Sequence, residues 1–292
     1  MATYREFSND VPPAWCPGCG NWSIRNATMR ALAQVGLEPH QALIVSGIGQ
    51  ASKLPDYLTV NSLTTLHGRP IPIAQGAHLA NHEMKVIVHA GDGDTFGLGG
   101  NHYIHMMRRN ADVALMVHDN LIYGLTKGQY SPTSPKGFLS KTSPKPTGAI
   151  EQPVNPLALA LTSEATFVAR TFAGDLPHMM EMMVAAIEHP GAAVLDILQP
   201  CVVFNPQYSF DFYRPRVYKL SEEEGYDTSD REAAWHRAWE WGDRIPIGIL
   251  YQERRPTYEE QLPVLQEGGA VAYRPFREWT EADYADLERE FL

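Results

Sequence analysis

Short apolar runs alternate along this chain with stretches of helical period, and the alternation persists for about two thirds of its length. Runs at 42–45, 86–90, 113–117, 166–169 and 193–198 carry almost no polar interruption, which predicts strands covered on both faces. Between them, period-3.6 patterns predict helices over 22–35, 73–80, 99–108, 157–161 and 177–187. Strand and helix in turn is the signature of an α/β fold, here a doubly wound, mostly parallel sheet with helices on both faces. The Met-rich helix, with Met179, Met180, Met182 and Met183, is read as core filling, because an unbranched thioether packs irregular gaps. Residues 128–153, rich in Pro, Ser, Thr and Lys, have no period and predict a long loop of the kind that serves as a lid or stays disordered. Beyond Cys201 the composition shifts toward Tyr, Trp, Arg and Glu, with an amphipathic helix expected over 230–241, carrying Trp235, Trp239 and Trp241, and a short strand over 246–251. The chain therefore divides into a domain of residues 1–205 and an extension, 206–292, that wraps the core or a partner subunit.

Two strand ends carry chemistry. The run before Gly91 ends in Gly91-Asp92-Gly93-Asp94, and the run before Asn120 ends in Asn120-Leu121-Ile122. Open α/β sheets bind ligands at the carboxyl ends of their strands, so the two turns fall where a site is expected. Asp92 offers a charged oxygen, Asn120 a neutral one and Ile122 a main-chain carbonyl. A Mg2+ ion takes about six hard oxygen ligands, and a diphosphate completes such a set. Gly91 and Gly93 let the backbone approach phosphates, and a helix beginning near Thr95 would aim its positive end at them. This is the arrangement by which thiamine diphosphate enzymes hold their cofactor's magnesium.

Composition narrows the partners. At 292 residues the chain can bury a large core, and a formal charge of −10 with no basic face argues against nucleic acid. No apolar stretch approaches the roughly 20 residues of a membrane span, and the first residues lead into no signal-peptide core, so a cytoplasmic protein is expected. Three cysteines are too few for a disulfide framework. Cys16 and Cys19 have Cys-x-x-Cys spacing, which suits a thiolate metal site, a structural zinc with a further ligand, or a redox dithiol; the polar segment before them is unlike the buried strand that precedes a redox dithiol.

Taken together, Trp-Cys-Pro-Gly-Cys-Gly at 15–20, Ser-Gly-Ile-Gly at 46–49, Leu-His-Gly-Arg at 66–69, Gly-Asp-Gly-Asp at 91–94, Tyr-Gly-Leu-Thr-Lys-Gly-Gln at 123–129, Ser-Pro-Thr at 131–133 and Pro-Cys at 200–201 resemble the β subunit of the 2-oxoacid:ferredoxin oxidoreductases. The resemblance is dense from about residue 10 to 205. It implies a thiamine diphosphate-binding fold and the conversion of a 2-oxoacid, coenzyme A and oxidised ferredoxin to acyl-CoA, CO2 and reduced ferredoxin.

Carried over by position, the resemblance puts Asp92, Asn120 and the Ile122 carbonyl on Mg2+, and Ile48, Gly49, Gln50, Ala51, His67, Gly93, Asp94, Gly124 and Leu125 around the diphosphate and thiazolium. It puts Cys16, Cys19 and Cys201 on an iron–sulfur cluster. The family's fourth cysteine is replaced by Gln50. Three outcomes follow: a 4Fe-4S cluster with a non-cysteine ligand such as Asp56, His67 or Gln50, a 3Fe-4S cluster, or none; a cluster on three cysteines is the expectation, with Gln50 the least attractive iron ligand. Lys127 stands where pyruvate-type relatives tend to carry glycine; it either meets the second carboxylate of 2-oxoglutarate or neutralises the diphosphate, and the first reading is adopted. His89, His102, His105 and His118 receive no role. The glutamate that protonates the cofactor's aminopyrimidine has no counterpart here and belongs to the α subunit, so the active site lies at a subunit interface. Two rivals are a non-oxidative thiamine-dependent decarboxylase or carboligase, and an iron–sulfur carrier or regulatory module without catalysis.

Overall fold

A computed structural model describes residues 2–275 and 278–291; of the expected extension, Phe276, Arg277 and Leu292 lie outside the described residues, as does Met1. The strands are β1 (Ala42–Ser46), β2 (Asn61–Thr64), β3 (Lys85–Gly91), β4 (Val113–Asp119), the short pair β5 (Ile122–Tyr123) and β6 (Gln129–Tyr130), then β7 (Phe167–Phe172), β8 (Ala192–Leu198), β9 (Val217–Lys219) and β10 (Ile245–Gln252). Eight of them form one sheet in the order β2-β1-β3-β4-β8-β7-β10-β9. All neighbours from β2 to β7 run parallel, and β10 joins β7 antiparallel.

The pleat sorts side chains between two cores. On β4, Val113, Leu115 and Val117 pack into the layer of α2 (Pro70–Ala80), α3 (Gly100–Arg109) and α4 (Pro156–Thr162), while Ala114 and Met116 face α1 (Asn21–Gln34) and α5 (Leu176–Glu188). A strand apolar from Val113 through Val117 is what two covered faces require. Met179, Met182 and Met183 fill the α1/α5 layer, as expected of the Met-rich helix. The helices start where capping allows: Asn155 and Asp175 accept from the backbone N–H groups of Ala158 and His178 at 3.1 Å, each just before a proline in the first turn.

Three stretches differ in detail from the sequence-based expectation. Residues 49–69, which carry no apolar period in the sequence, hold a 3-10 turn (Ala51–Tyr57) and the edge strand β2, whose four residues are all exposed. The helix expected to open near Thr95 is a wide π turn over Gly93–Leu98, closed by the Gly99 N–H donating to the Asp94 carbonyl at 3.0 Å, before α3 proper. Residues 245–252 form a full strand of the main sheet, while 128–153 is irregular apart from the two residues of β6. The C-terminal segment is also clipped to the sheet's helical layer, His78 of α2 lying 3.0 Å from Glu259.

Among the described residues no helix is long and apolar enough to cross a membrane. With Leu115 completely buried in the middle of the sheet, Leu115→Ala should destabilise the fold by about 2–5 kcal/mol, read as a lowered denaturation midpoint at unchanged slope.

Candidate active site

Every segment singled out for chemistry emerges at one end of the sheet, where the parallel strands leave their last carbonyls. Ile48, Gly49, Gln50 and Ala51 follow β1, Asp92, Gly93 and Asp94 follow β3, Asn120, Ile122, Gly124 and Leu125 follow β4, and Cys201 follows β8. β1 sends the chain outward to β2 and back across to β3, so the cleft between β1 and β3 is the point where strand order reverses.

One cavity there is lined by Ile48, Gly49, Gln50, Ala51, His67, Gly91, Asp92, Gly93, Asp94, Asn120, Ile122, Gly124 and Leu125, with Tyr123 and Thr126. It unites every residue assigned to the diphosphate, thiazolium and magnesium. Asp92 is buried, and its Oδ2 accepts from the hydroxyls of Ser131 (2.5 Å) and Thr133 (2.6 Å), so its carboxylate is fixed from behind. Asn120 Oδ1 accepts from the Ile122 N–H at 3.0 Å. One carboxylate, one amide oxygen and one carbonyl make a hard-oxygen set that fits Mg2+. Gly93 keeps space free: a Cβ there would meet the Tyr123 ring at 2.1 Å.

Asp94 acts on the protein rather than only on a ligand. Its Oδ1 accepts from the N–H of Gly68 at 2.8 Å and of Ile48 at 3.4 Å, and it forms an ion pair with His67 Nδ1. His67 is thereby aimed along the cavity wall, its ring edge-on to Tyr123.

A second cavity holds all three cysteines, Cys16, Cys19 and Cys201, with Trp15, Asn21, Gln50, Asn120, Gly124, Gln199 and Phe204 among its lining. All three thiols are unpaired. Burial pushes Cys19 up to about 11 and also raises Cys201, against the pull of backbone N–H groups from Asn21 on Cys19 and from Val203, Phe204 and Asn205 on Cys201. Amides directed at sulfur suit thiolates that a metal centre has deprotonated. Gln50 is at this wall with its Oε1 buried and without a hydrogen-bond partner, held by the Trp15 indole N–H on its carbonyl at 2.8 Å. Of the alternatives for a fourth ligand, Asp56 is exposed and His67 lies in the first cavity; neither lines the second.

Lys127 sits on the turn between β5 and β6, exposed, with a left-handed backbone at φ 75 that is uncommon for a residue with a Cβ. It is not among the residues lining the first cavity, whose wall on this side is formed by Gly124, Leu125 and Thr126. Sequence reasoning missed Ser131 and Thr133 as supports of Asp92, and missed Gln199; its position beside Cys201 was the available signal. His89 and His118 form a buried chain, His89 Nδ1 to His118 Nε2 at 2.9 Å and His118 Nδ1 to Asn21 Oδ1 at 2.8 Å, and burial drops His89 to about 3, so both rings are neutral packing groups. His102 is on α3 and its charged form is disfavoured mainly by partial burial.

A parallel sheet with a metal-and-diphosphate cradle at its switch point defines a thiamine diphosphate-binding domain. The family model for the C-terminal thiamine pyrophosphate-binding domain of thiamine pyrophosphate enzymes matches residues 45–197, and that for the C-terminal part of the pyruvate ferredoxin oxidoreductase β subunit matches 201–267. The chain belongs to the β-subunit family of the 2-oxoacid:ferredoxin oxidoreductases. It is 45% identical over 272 residues to subunit beta of 2-oxoacid:ferredoxin oxidoreductase 1 from Aeropyrum pernix, covering 90% of this chain and 84% of the relative. It is 32% identical to the 2-oxoglutarate synthase subunit KorB of Methanocaldococcus jannaschii, covering 88% and 94%. A solved structure of 2-oxoglutarate:ferredoxin oxidoreductase from Magnetococcus marinus, with 2-oxoglutarate, coenzyme A and succinyl-CoA bound, superposes with a TM-score of 0.89 at 37% identity, covering 98% of this chain and 96% of that one.

Burial raises the Asp92 carboxyl to about 6, above the ordinary value near 3.9, against the hydroxyls of Ser131 and Thr133 that lower it. A carboxyl raised by folding adds stability below its unfolded value and loses it as pH climbs through the folded one, so the cofactor-free chain gives up stability between about pH 4 and 7. A Mg2+ ion taken up by the Asp92 carboxylate would reverse that loss. The thermal shift produced by Mg2+ with thiamine diphosphate should therefore be larger at pH 7.5 than at pH 5, and Asp92→Asn should keep the cofactor-free fold while flattening the shift; a variant that binds the cofactor normally would remove Asp92 from the site.

Proposed function

We propose that this chain is the cofactor-binding β subunit of an enzyme that oxidatively decarboxylates 2-oxoglutarate, with coenzyme A taking the acyl group and ferredoxin the electrons. The observation that carries the reading is a shared wall: Gln50, Asn120 and Gly124 line both the cofactor cavity and the cysteine cavity. A redox centre on the three thiols would lie one residue's thickness from the thiazolium. The non-oxidative carboligase reading gives three thiols in that position no task.

Thiamine diphosphate, when bound, supplies a carbon centre that accepts the electron pair left by decarboxylation. Asp92, Asn120 and the Ile122 carbonyl would hold Mg2+, Gly93 and the 48–51 turn would admit the diphosphate, and His67, fixed by Asp94, would face the reacting end. Cys16, Cys19 and Cys201 would hold a 4Fe-4S or 3Fe-4S cluster. The carboxylates lining the cofactor cavity, Asp92 and Asp94, are both engaged. The glutamate for the aminopyrimidine is therefore assigned to an α subunit, and catalysis to the assembled complex. Reduced thiols and the ferredoxin acceptor agree with a cytoplasmic enzyme.

Substrate choice is assigned to Lys127. A left-handed backbone that glycine would adopt without strain is instead occupied by a cation, one residue beyond the cavity-lining Thr126, where it could meet the far charge of a dicarboxylate. In the assembled enzyme, Lys127→Gly should raise the KM for 2-oxoglutarate about ten- to a hundredfold and leave pyruvate turnover nearly unchanged. Equal losses on both substrates would move Lys127 to the cofactor.

The cluster is tested by iron and labile-sulfide analysis with electron paramagnetic resonance on anaerobically purified complex. Cys16→Ser or Cys201→Ser should abolish the signal and electron transfer to ferredoxin, and Gln50→Cys should raise iron content; a fully active, iron-free wild type would leave the carboligase reading standing.

A further inference from the structure

Between the two cavities, one side chain touches both sets of ligands. Gln199, fully buried at the end of β8, accepts from Asn120 Nδ2 at 3.0 Å through its Oε1. Its Nε2 donates to Cys19 Sγ at 3.4 Å and to the Pro200 carbonyl at 2.8 Å. Resting on the proposed function above, we propose that Gln199 is a positioning residue that couples the magnesium ligand set to the redox centre.

Gln199 acts in two directions. Asn120 is an amide whose two ends look alike to a metal only in shape; its oxygen binds, its NH2 repels. By accepting from Nδ2, Gln199 fixes the amide so that Oδ1 faces the Ile122 N–H and the cavity. On the other side, its N–H points at a sulfur whose negative charge grows when an iron–sulfur centre is reduced. Such a bond strengthens on reduction and raises the potential. Because the Gln199 amide is itself pinned by Pro200, one rigid group carries both tasks.

Gly20, the last residue of the Trp-Cys-Pro-Gly-Cys-Gly motif, makes the arrangement possible. A Cβ there would come within 2.9 Å of Gln199 Cγ, so any other residue would push the amide off both partners. The motif's final glycine thus serves Gln199 rather than a turn, its own backbone being ordinary helical.

The test uses the assembled α/β enzyme with Gln199→Met, which matches the length of glutamine and removes both hydrogen bonds, and Gln199→Glu, which keeps an oxygen toward Asn120. With iron content unchanged, Gln199→Met should weaken Mg2+-dependent thiamine diphosphate binding about tenfold. It should also lower the equilibrium constant for cluster reduction about tenfold in a titration followed by electron paramagnetic resonance, which is 59 mV for one electron. Gln199→Glu should regain the cofactor affinity and not the potential. Unchanged potential and affinity in Gln199→Met would overturn the proposal. Should the wild type carry no cluster, the proposed function fails separately, and the magnesium half still decides Gln199: unchanged Mg2+-dependent thiamine diphosphate affinity in Gln199→Met would overturn the proposal.

Discussion

A single buried carboxylate organises the catalytic end of this sheet. Strand ends leave N–H groups without partners, and three chain segments, after β1, before α2 and after β3, converge there with nothing in their sequences to hold them in contact. Asp94 supplies the contact by accepting from Ile48 and Gly68 and pairing with His67. Burial raises its carboxyl, while those partners oppose the shift. The geometry demands absent side chains as much as present ones: a Cβ on Gly47 would lie 1.9 Å from Asp94 Oδ2, and one on Gly68 2.6 Å from the Leu98 backbone. The wide π turn belongs to the same constraint, since it begins beside Asp94 and closes on the Asp94 carbonyl.

Behind Asp92 the interior is polar yet closed. Thr133 links Asp92 to Asp119 at 2.6 and 2.8 Å, and Asp196 pairs with Arg170 at 2.8 Å. Burial, with Asp196 and Asp92 as neighbours, holds Asp119 well above the usual carboxylate range. A floor of this kind holds Asp92 in place through Thr133, and the burial that raises the Asp119 carboxyl disfavours a second charge beside it. The neutral His89–His118 pair, one strand-width away, adds hydrogen bonds and no charge.

The sequence made the central sheet legible because strands covered on both faces carry nearly continuous apolar runs, and β3, β4 and β8 are of that kind. The edge strand β2 was invisible for the opposite reason, being exposed at every residue. That Asp92, Asn120 and Ile122 meet at one cavity was legible because hard-metal chemistry at strand ends restricts residue type and place. Ser131, Thr133 and Gln199 were not. Their importance comes from tertiary proximity, Ser131 lying 39 residues and Gln199 180 residues from the groups they serve, and no local pattern encodes such distances.

The antiparallel strand β10 has a consequence for synthesis. β7 leaves the ribosome some 75 residues before its partner, because the register joins Phe167 to Gln252 and Arg170 to Gly248. Until then one flank of β7 is an open hydrogen-bonding edge in a strand whose side chains are all buried in the finished molecule. A nascent chain halted near Leu198 would own both halves of the cofactor cradle and still present a sticky border. Production of this subunit should accordingly depend on chaperones that shield such borders, and truncations before residue 245 should aggregate rather than yield a smaller working domain.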